Sequence, residues 1–322
     1  MKKILIIRFS SIGDIVLTSP VARCLKQQLK NVEVHYLCKK SFESIVALNP
    51  NIDKVYSIEK SIDEVIPQLK KEQYDYIIDL HYNIRSVLVK MKLNRPFSTV
   101  RKLNFKKWFL VFFKSRKIRS KHIVDRYLEA AKKTGIVNDN QGLDFFIPAK
   151  DEVSLSTLPV SHQKGYIGFV IGAKHFTKRL PKEKIVSICR KITAPIVLLG
   201  GKEDKEVAEY VEKEIGSTIY VACGNYSLQQ SASLIKQAQK IITHDTGLMH
   251  IAAAFKKEII SIWGSTVPEF GMYPYLPKGS TQAKIVEVKN LSCRPCSKIG
   301  FTKCPKGHFN CMELIDEKLV LE

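Results

Sequence analysis

The residues best suited to chemistry lie in segment 243–254, which reads Thr-His-Asp-Thr-Gly-Leu-Met-His-Ile-Ala-Ala-Ala. Asp245 offers an acceptor, Thr246 a hydroxyl, and Gly247 a backbone that another group can approach closely. His250, at helical spacing from Thr246, adds a second polar head on the same turn. Lys240-Ile241-Ile242 just before is a short apolar run of strand type, and the small residues after it suit a helix. A strand-to-helix turn is where a parallel α/β sheet holds ligands, because the first N–H groups of the helix are unpaired and carry partial positive charge. A helix cap would use Asp245 or Thr246 in the same way; the addition of His250 favours a ligand site.

Other turns carry groups of the same kind. Ser10-Ser11-Ile12-Gly13-Asp14 follows the first apolar run, where a dinucleotide fold would carry Gly-x-Gly-x-x-Gly. That fingerprint is absent, which argues against NAD or FAD there. Asp14 is either a general base for a substrate hydroxyl or a carboxylate favouring the start of its own helix. In Gly172-Ala173-Lys174-His175-Phe176-Thr177-Lys178-Arg179-Leu180-Pro181, Lys178 is placed to neutralise a pyrophosphate, Gly172 and Ala173 permit close backbone approach, and Pro181 opens a helix. A merely solvated basic loop has the same composition. After Gly200-Gly201, Glu203 either complements a helix dipole or accepts hydrogen bonds from ribose hydroxyls. Tyr226 borders a base or simply packs, with Ser227 as a helix cap. His81, Asn83 and Arg85 follow another apolar run and are candidates to hold an anionic acceptor.

The elements that must position these groups alternate. Strands are predicted at 2–9, 32–39, 54–58 and 74–80, with helices at 15–29, 42–48 and 62–71, a Rossmann-like pattern. Helix 122–134 stops at Gly135. Segment 137–164, rich in Asn, Asp, Gly, Pro and Ser, reads as an interdomain linker. The alternation then restarts, with strands at 166–171, 195–199, 218–222, 240–243 and 258–263 and helices at 181–191, 205–215, 228–238 and 248–255. Two α/β halves, 1–160 and 161–322, predict a cleft between them.

A chain of 322 residues is long enough for two such cores. No apolar run approaches a membrane span, and Met1-Lys2-Lys3-Ile4 does not open a signal peptide. The expected location is cytoplasmic, with the eight cysteines reduced or metal-bound. The net charge of +21 is concentrated: segment 80–124 has no Asp or Glu and thirteen Lys or Arg. Such a field attracts nucleic acid, an acidic lipid surface or a phosphorylated acceptor. Nucleic acid is disfavoured because the basic segment belongs to one half and matches no nucleic-acid module. Within 104–117, Phe105, Trp108, Phe109 and Phe112 share a helical face among Lys106, Lys107 and Lys114. That composition suits a helix lying on an anionic membrane surface, and equally a buried aromatic helix with basic edges. In the tail, Cys293-x-x-Cys296, Cys304 and Cys311, with His308 nearby, have the spacing of a structural zinc site; free thiols or oxidised pairs are the alternatives. No Asp-x-Asp occurs anywhere, which agrees with a reaction that holds pyrophosphate without a divalent metal.

In order and spacing, the Ser10–Asp14 turn, the Lys178-Arg179-Leu180-Pro181 loop, the Gly200-Gly201 turn and Asp245-Thr246-Gly247-Leu248-Met249-His250 resemble the heptosyltransferases of glycosyltransferase family nine, which build the inner core of lipopolysaccharide. The resemblance covers nearly the whole chain and is most specific at Asp-Thr-Gly…His. It implies a GT-B architecture, two Rossmann-like domains with parallel sheets facing a central cleft. The acceptor would be held by the first, through Ser10, Ser11, Gly13, His81, Asn83 and Arg85. The donor would be held by the second, through Gly172, Ala173, Lys178, Gly201, Glu203, Tyr226, Asp245, Thr246, Gly247 and His250. The implied reaction transfers heptose from ADP-heptose, with inversion, to a phosphorylated Kdo/heptose–lipid A acceptor. It needs no cofactor and is carried out by a monomer resting on the cytoplasmic face of the inner membrane. Asp14 resembles the family's catalytic base, Lys178 the lysine that stabilises the leaving group, and Glu203 the ribose-binding acid. The chain departs from the family pattern at Ala173 and Lys174, where many members carry hydroxyl residues, and at Leu180, where tryptophan is usual. A nucleotide-sugar epimerase on the same architecture is the rival enzyme.

Overall fold

In a computed structural model, residues 1–114 and 121–322 are described, apart from the Lys106 side chain. Arg116, Lys117 and Arg119 of the basic segment, and the end of the helix predicted over 104–117, lie outside the described residues. The chain runs β1 (Lys2–Ile7), α1 (Ile12–Val16), α2 (Ser19–Gln28), β2 (Val32–Lys39), α3 (Glu43–Val46), β3 (Lys54–Ile58), α4 (Ile66–Glu72), β4 (Tyr76–Asp79), α5 (Ile84–Leu93), β5 (Phe97–Thr99), α6 (Asn104–Phe113) and α7 (Ile123–Ala131). It continues through α8 (Val160–Gln163), β6 (Ile167–Val170), α9 (Lys182–Arg190), β7 (Ile196–Leu199), α10 (Lys205–Ile215), β8 (Ile219–Val221), α11 (Leu228–Gln237), β9 (Lys240–His244), α12 (Gly247–Ala254), β10 (Glu258–Trp263), β11 (Ala283–Glu287), α13 (Asn310–Glu313) and α14 (Glu317–Leu321).

Two compact units result, each an α/β unit built on a parallel sheet, as the GT-B expectation requires. In the first, the described strands run in the order β3-β2-β1-β4-β5. β1 is central and covered on both faces, so Ile4, Leu5, Ile6 and Ile7 form an unbroken buried run rather than an alternating one. Its Leu5 and Ile7 pack with Ile66, Leu69 and Val89 of the flanking helices. The helix predicted over 15–29 is instead two helices. Pro20 has no N–H to continue a helical ladder and sits at the first turn of α2, while the Thr18 hydroxyl turns back to Ile15 O (2.7 Å). The break leaves α1 as a short helix with Asp14 in its first turn.

In the second unit the order is β11-β10-β9-β6-β7-β8. β11, which the pattern reading did not foresee, pairs in parallel with β10 from Ile259↔Ala283 onward. The tail is equally part of the core: Phe309, Cys311, Met312, Ile315 and Val320 pack with Phe169, Ile185, Ile260 and Ile262. α6 belongs to this unit although it precedes α7, because Leu110 packs on Val267 and Phe270. The chain enters the second unit for α6, returns to the first for α7, and passes finally into the second between Phe146 and Ile147. No described helix is long and apolar enough to cross a membrane.

Candidate active-site residues

In the first unit the turn after β1 is held by Arg8. Its guanidinium donates from Nε to Ser10 O and from Nη1 to Leu80 O (both 2.7 Å), stands 5.8 Å from the Tyr127 ring centre, and pairs through Nη2 with Asp14 Oδ2 at 2.8 Å. The same carboxylate oxygen accepts from the Ser11 backbone N–H (3.3 Å) and hydroxyl (2.9 Å). Asp14 thus closes the cap of α1 and is a charged carboxylate whose side chain remains 22 % exposed. Burial alone would raise its pKa, but the charge of Arg8 and the two Ser11 hydrogen bonds outweigh that and hold it below the usual carboxylate range. Gly13 is buried inside the turn.

His81 follows β4 and accepts the Phe9 N–H at Nδ1 (3.3 Å), so its proton lies on Nε2. Burial, then Arg8 and Lys102, push its pKa down to about 4, so it is a neutral donor at pH 7. The loop that carries it is pinned by Asp79, whose Oδ1 accepts from His81 N (3.0 Å) and Tyr82 N (2.8 Å) and whose Oδ2 pairs with buried Lys90 at 2.8 Å. Asn83 caps α5, its oxygen accepting the Ser86 N–H at 2.9 Å. Arg85, in the first turn of α5, is exposed. Arg8, Asp79 and Lys90 were missed by sequence reasoning; for Arg8 and Asp79 the available signal was a charge placed at the end of an otherwise apolar strand run, whereas Lys90 lies inside α5.

In the second unit the turn after β9 brings predicted residues together. Asp245 Oδ2 accepts from Lys178 Nζ (2.6 Å) and from the Thr266 hydroxyl (2.8 Å). Thr266 was not foreseen. Thr246 occupies the cap position of α12, yet its hydroxyl makes no capping bond, so capping does not explain it. Gly247 begins α12, and His250 is buried one turn further on. The basic loop is tied to the same turn by His244, whose Nε2 accepts the Leu180 N–H at 3.1 Å; burial, then Arg179, push this imidazole to about 3.

Gly172 and Gly201 surround a buried carboxylate, Asp204. A side chain at position 172 would place its Cβ 2.0 Å from Asp204 Oδ2, and that oxygen accepts the Gly201 N–H at 2.8 Å. Arg179 pairs with Asp204 at 3.1 Å and donates from Nε to Ala173 O at 2.5 Å. Burial raises the Asp204 pKa despite those partners. Glu203 beside it is exposed. Tyr226 meets Tyr220, hydroxyl to hydroxyl at 2.8 Å, and Ser227 caps α11 as expected. Pro181 stands one position before α9 rather than inside it.

The zinc expectation for the tail is corrected. Cys293, Cys296, Cys304 and Cys311 are free thiols, and among the described residues no group of His, Cys, Asp or Glu is arranged to hold a metal ion. The sulfurs have other tasks: Cys311 is in the core, and the Cys296 thiol donates to Cys293 O at 3.2 Å. His308 is exposed, its Nδ1 accepting the Asn310 N–H.

The sequence model of glycosyltransferase family 9 (heptosyltransferase) matches residues 62–304. The lipopolysaccharide heptosyltransferase 1 of Campylobacter coli is 26% identical over 297 residues, covering 82% of this chain and 84% of that protein. A glycosyltransferase family 9 structure from Veillonella parvula superposes with a TM-score of 0.78 at 21% identity, over 99% of this chain and 95% of the other. The E. coli ADP-heptose lipopolysaccharide heptosyltransferase II superposes with a TM-score of 0.71 at 19% identity, over 100% and 99%. The chain, a glycosyltransferase, thus belongs to glycosyltransferase family 9, the heptosyltransferases.

Proposed function

We propose that this enzyme transfers heptose from ADP-heptose, with inversion, to a Kdo/heptose–lipid A acceptor of the lipopolysaccharide inner core, without a metal ion. In the step, the acceptor hydroxyl oxygen attacks the anomeric carbon, the bond from that carbon to the phosphate oxygen breaks, the hydroxyl proton passes to Asp14, and ADP departs with the bonding pair. Lys178, with the start of α12, balances the charge that grows on the diphosphate. Glu203 holds the ribose, Thr246, Gly247 and His250 hold the sugar and pyrophosphate, and His81 and Arg85 hold the acceptor.

The observation that carries this reading is the Lys178 ammonium lying against Asp245 at the head of α12. It puts a cation, a carboxylate and unpaired helix N–H groups at one strand-to-helix turn. The relatives support the sugar and the nucleotide: the E. coli neighbour is named for ADP-heptose and the Campylobacter protein for lipopolysaccharide. Family membership favours transfer over epimerisation. The protein works as a monomer at the inner face of the inner membrane, with the aromatic face of α6 on the anionic surface.

The test is incubation with ADP-heptose or other nucleotide sugars, with Kdo–lipid A acceptors, with and without chelator. ADP release that requires both ADP-heptose and acceptor and persists in chelator is expected. Turnover without acceptor, or loss of turnover in chelator, overturns the reading.

A further inference from the structure

The loop that carries Lys178 has only one turn of 3-10 helix, Phe176–Lys178, to shape it. A lysine on a long flexible stem needs its backbone fixed if its ammonium is to be aimed. The fixing is done by its neighbour Thr177, which is 1 % exposed. The Thr177 hydroxyl accepts from Phe301 N–H (2.8 Å) and from the Ser265 hydroxyl (2.9 Å), and donates to Phe301 O (3.2 Å). One proton and two lone pairs are all used. Its backbone is held too: Thr177 N–H donates to Phe301 O, and Ser265 N–H donates to Thr177 O, both at 3.1 Å.

These bonds close a circuit. Ser265 precedes Thr266, whose hydroxyl reaches Asp245, and Asp245 holds the Lys178 ammonium. Lys178 is thus fixed at its backbone through Thr177 and at its tip through Asp245, and both restraints meet in the 264–266 loop. The cysteine-bearing tail supports that loop from outside. Cys296 N–H donates to Ser265 O (3.0 Å), and buried Arg294 donates to Gly264 O (2.5 Å) and Thr266 O (2.9 Å). On the other side of the turn, Phe176 stacks on Phe309 of the tail with ring centres 5.1 Å apart. Gly264 is required there, since a Cβ would lie 2.7 Å from Thr177 O.

We propose that Thr177 is a positioning residue of the donor site, and that the cysteine-bearing tail is the clamp through which it fixes Lys178. The inference rests on the reading that Lys178 stabilises departing ADP. It makes the tail part of the donor site rather than a separate module.

The test measures steady-state transfer by the full-length enzyme. Thr177→Val keeps the shape and removes the hydroxyl. Its kcat/KM for ADP-heptose should fall roughly 10- to 100-fold, the scale of a small misplacement of a charged group, while KM for the acceptor stays at the wild-type value. Thr177→Ser restores the hydroxyl and should return to within about threefold of wild type. Should Thr177→Val not fold, Ser265→Ala removes one hydrogen bond and should lower the same parameter several-fold, by about the worth of that bond. Wild-type donor kinetics in both Thr177→Val and Ser265→Ala, or a Thr177→Ser enzyme as impaired as Thr177→Val, overturns the inference. Lys178→Ala separates the two levels. If it retains full activity, the leaving-group reading fails; if it is inactive while Thr177→Val is normal, only the positioning role fails.

Discussion

Arg8 Nη2 lies 2.8 Å from Asp14 Oδ2, so the proposed base is ion-paired by the residue that directly follows β1. Opposing effects meet at this carboxylate: burial disfavours its charge, and Arg8 with Ser11 restores it. The balance lies below the ordinary carboxylate range, so Asp14 is fully ionised at neutral pH and remains so under mild acid. Its contribution to stability is complete above the unfolded carboxylate pKa, near 4, and is lost as pH falls through the lower folded value.

Arg8→Gln removes the charge that offsets burial. The acid limb of the pH profile of kcat/KM should then move to higher pH, while Arg8→Lys holds it closer to the wild-type position. Transfer assays from pH 8 down to below pH 4, where the wild-type limb lies, check this. An unmoved acid limb in Arg8→Gln would remove Asp14 from the base role. Asp14→Asn should lower kcat by about 10²- to 10⁴-fold, the usual worth of a general base.

Lys178 and Asp245 neutralise one another at 2.6 Å before any diphosphate arrives. Lys178→Ala should lower kcat/KM by about 10²- to 10³-fold, as loss of a preorganised electrostatic group does. Asp245→Asn removes a negative charge next to the incoming phosphates, so ADP should bind several-fold more tightly although transfer slows. Calorimetry of ADP binding beside transfer kinetics checks both; weaker ADP binding to Asp245→Asn would contradict the pairing argument.

α6 presents aromatic rings outward. Phe105, Trp108, Phe112 and Phe113 are 76, 46, 64 and 56 % exposed, while Leu110 on the opposite side is buried against Val267 and Phe270. Lys107 sits over the Phe270 ring, its ammonium 5.7 Å from the centre. An outward aromatic stripe in a basic segment fits an anionic bilayer surface. Phe105→Ser with Phe112→Ser should weaken binding to phosphatidylglycerol vesicles at least about tenfold, since burying one such ring is worth about 1.5–3 kcal/mol. The melting temperature should hold, because Leu110 keeps the helix in place. Co-sedimentation with vesicles, with and without anionic lipid, measures it; equal binding by the variant would exclude this face.

The sequence alone determined the parallel α/β class, the strand-to-helix turns and the candidate groups at them. Buried parallel strands read as continuous apolar runs, and Gly, Asp and hydroxyl residues mark the turns that follow, so these features are local in the chain. β10 and α10 appear at their expected residues for that reason. The partners of those groups were not legible. Arg8 meets Leu80 O, Lys178 and Thr266 both meet Asp245, and Thr177 meets Ser265 and Phe301, contacts that join residues far apart in sequence and leave no periodic trace. The zinc reading failed on the same ground: cysteine spacing is local, whereas the tail is held by packing of Phe309 and Met312 and by the bonds of Arg294. Tertiary structure decided which charges oppose one another, and through that the low pKa of Asp14 and the restraint on Lys178, because electrostatic effects depend on distance and burial rather than on order along the chain.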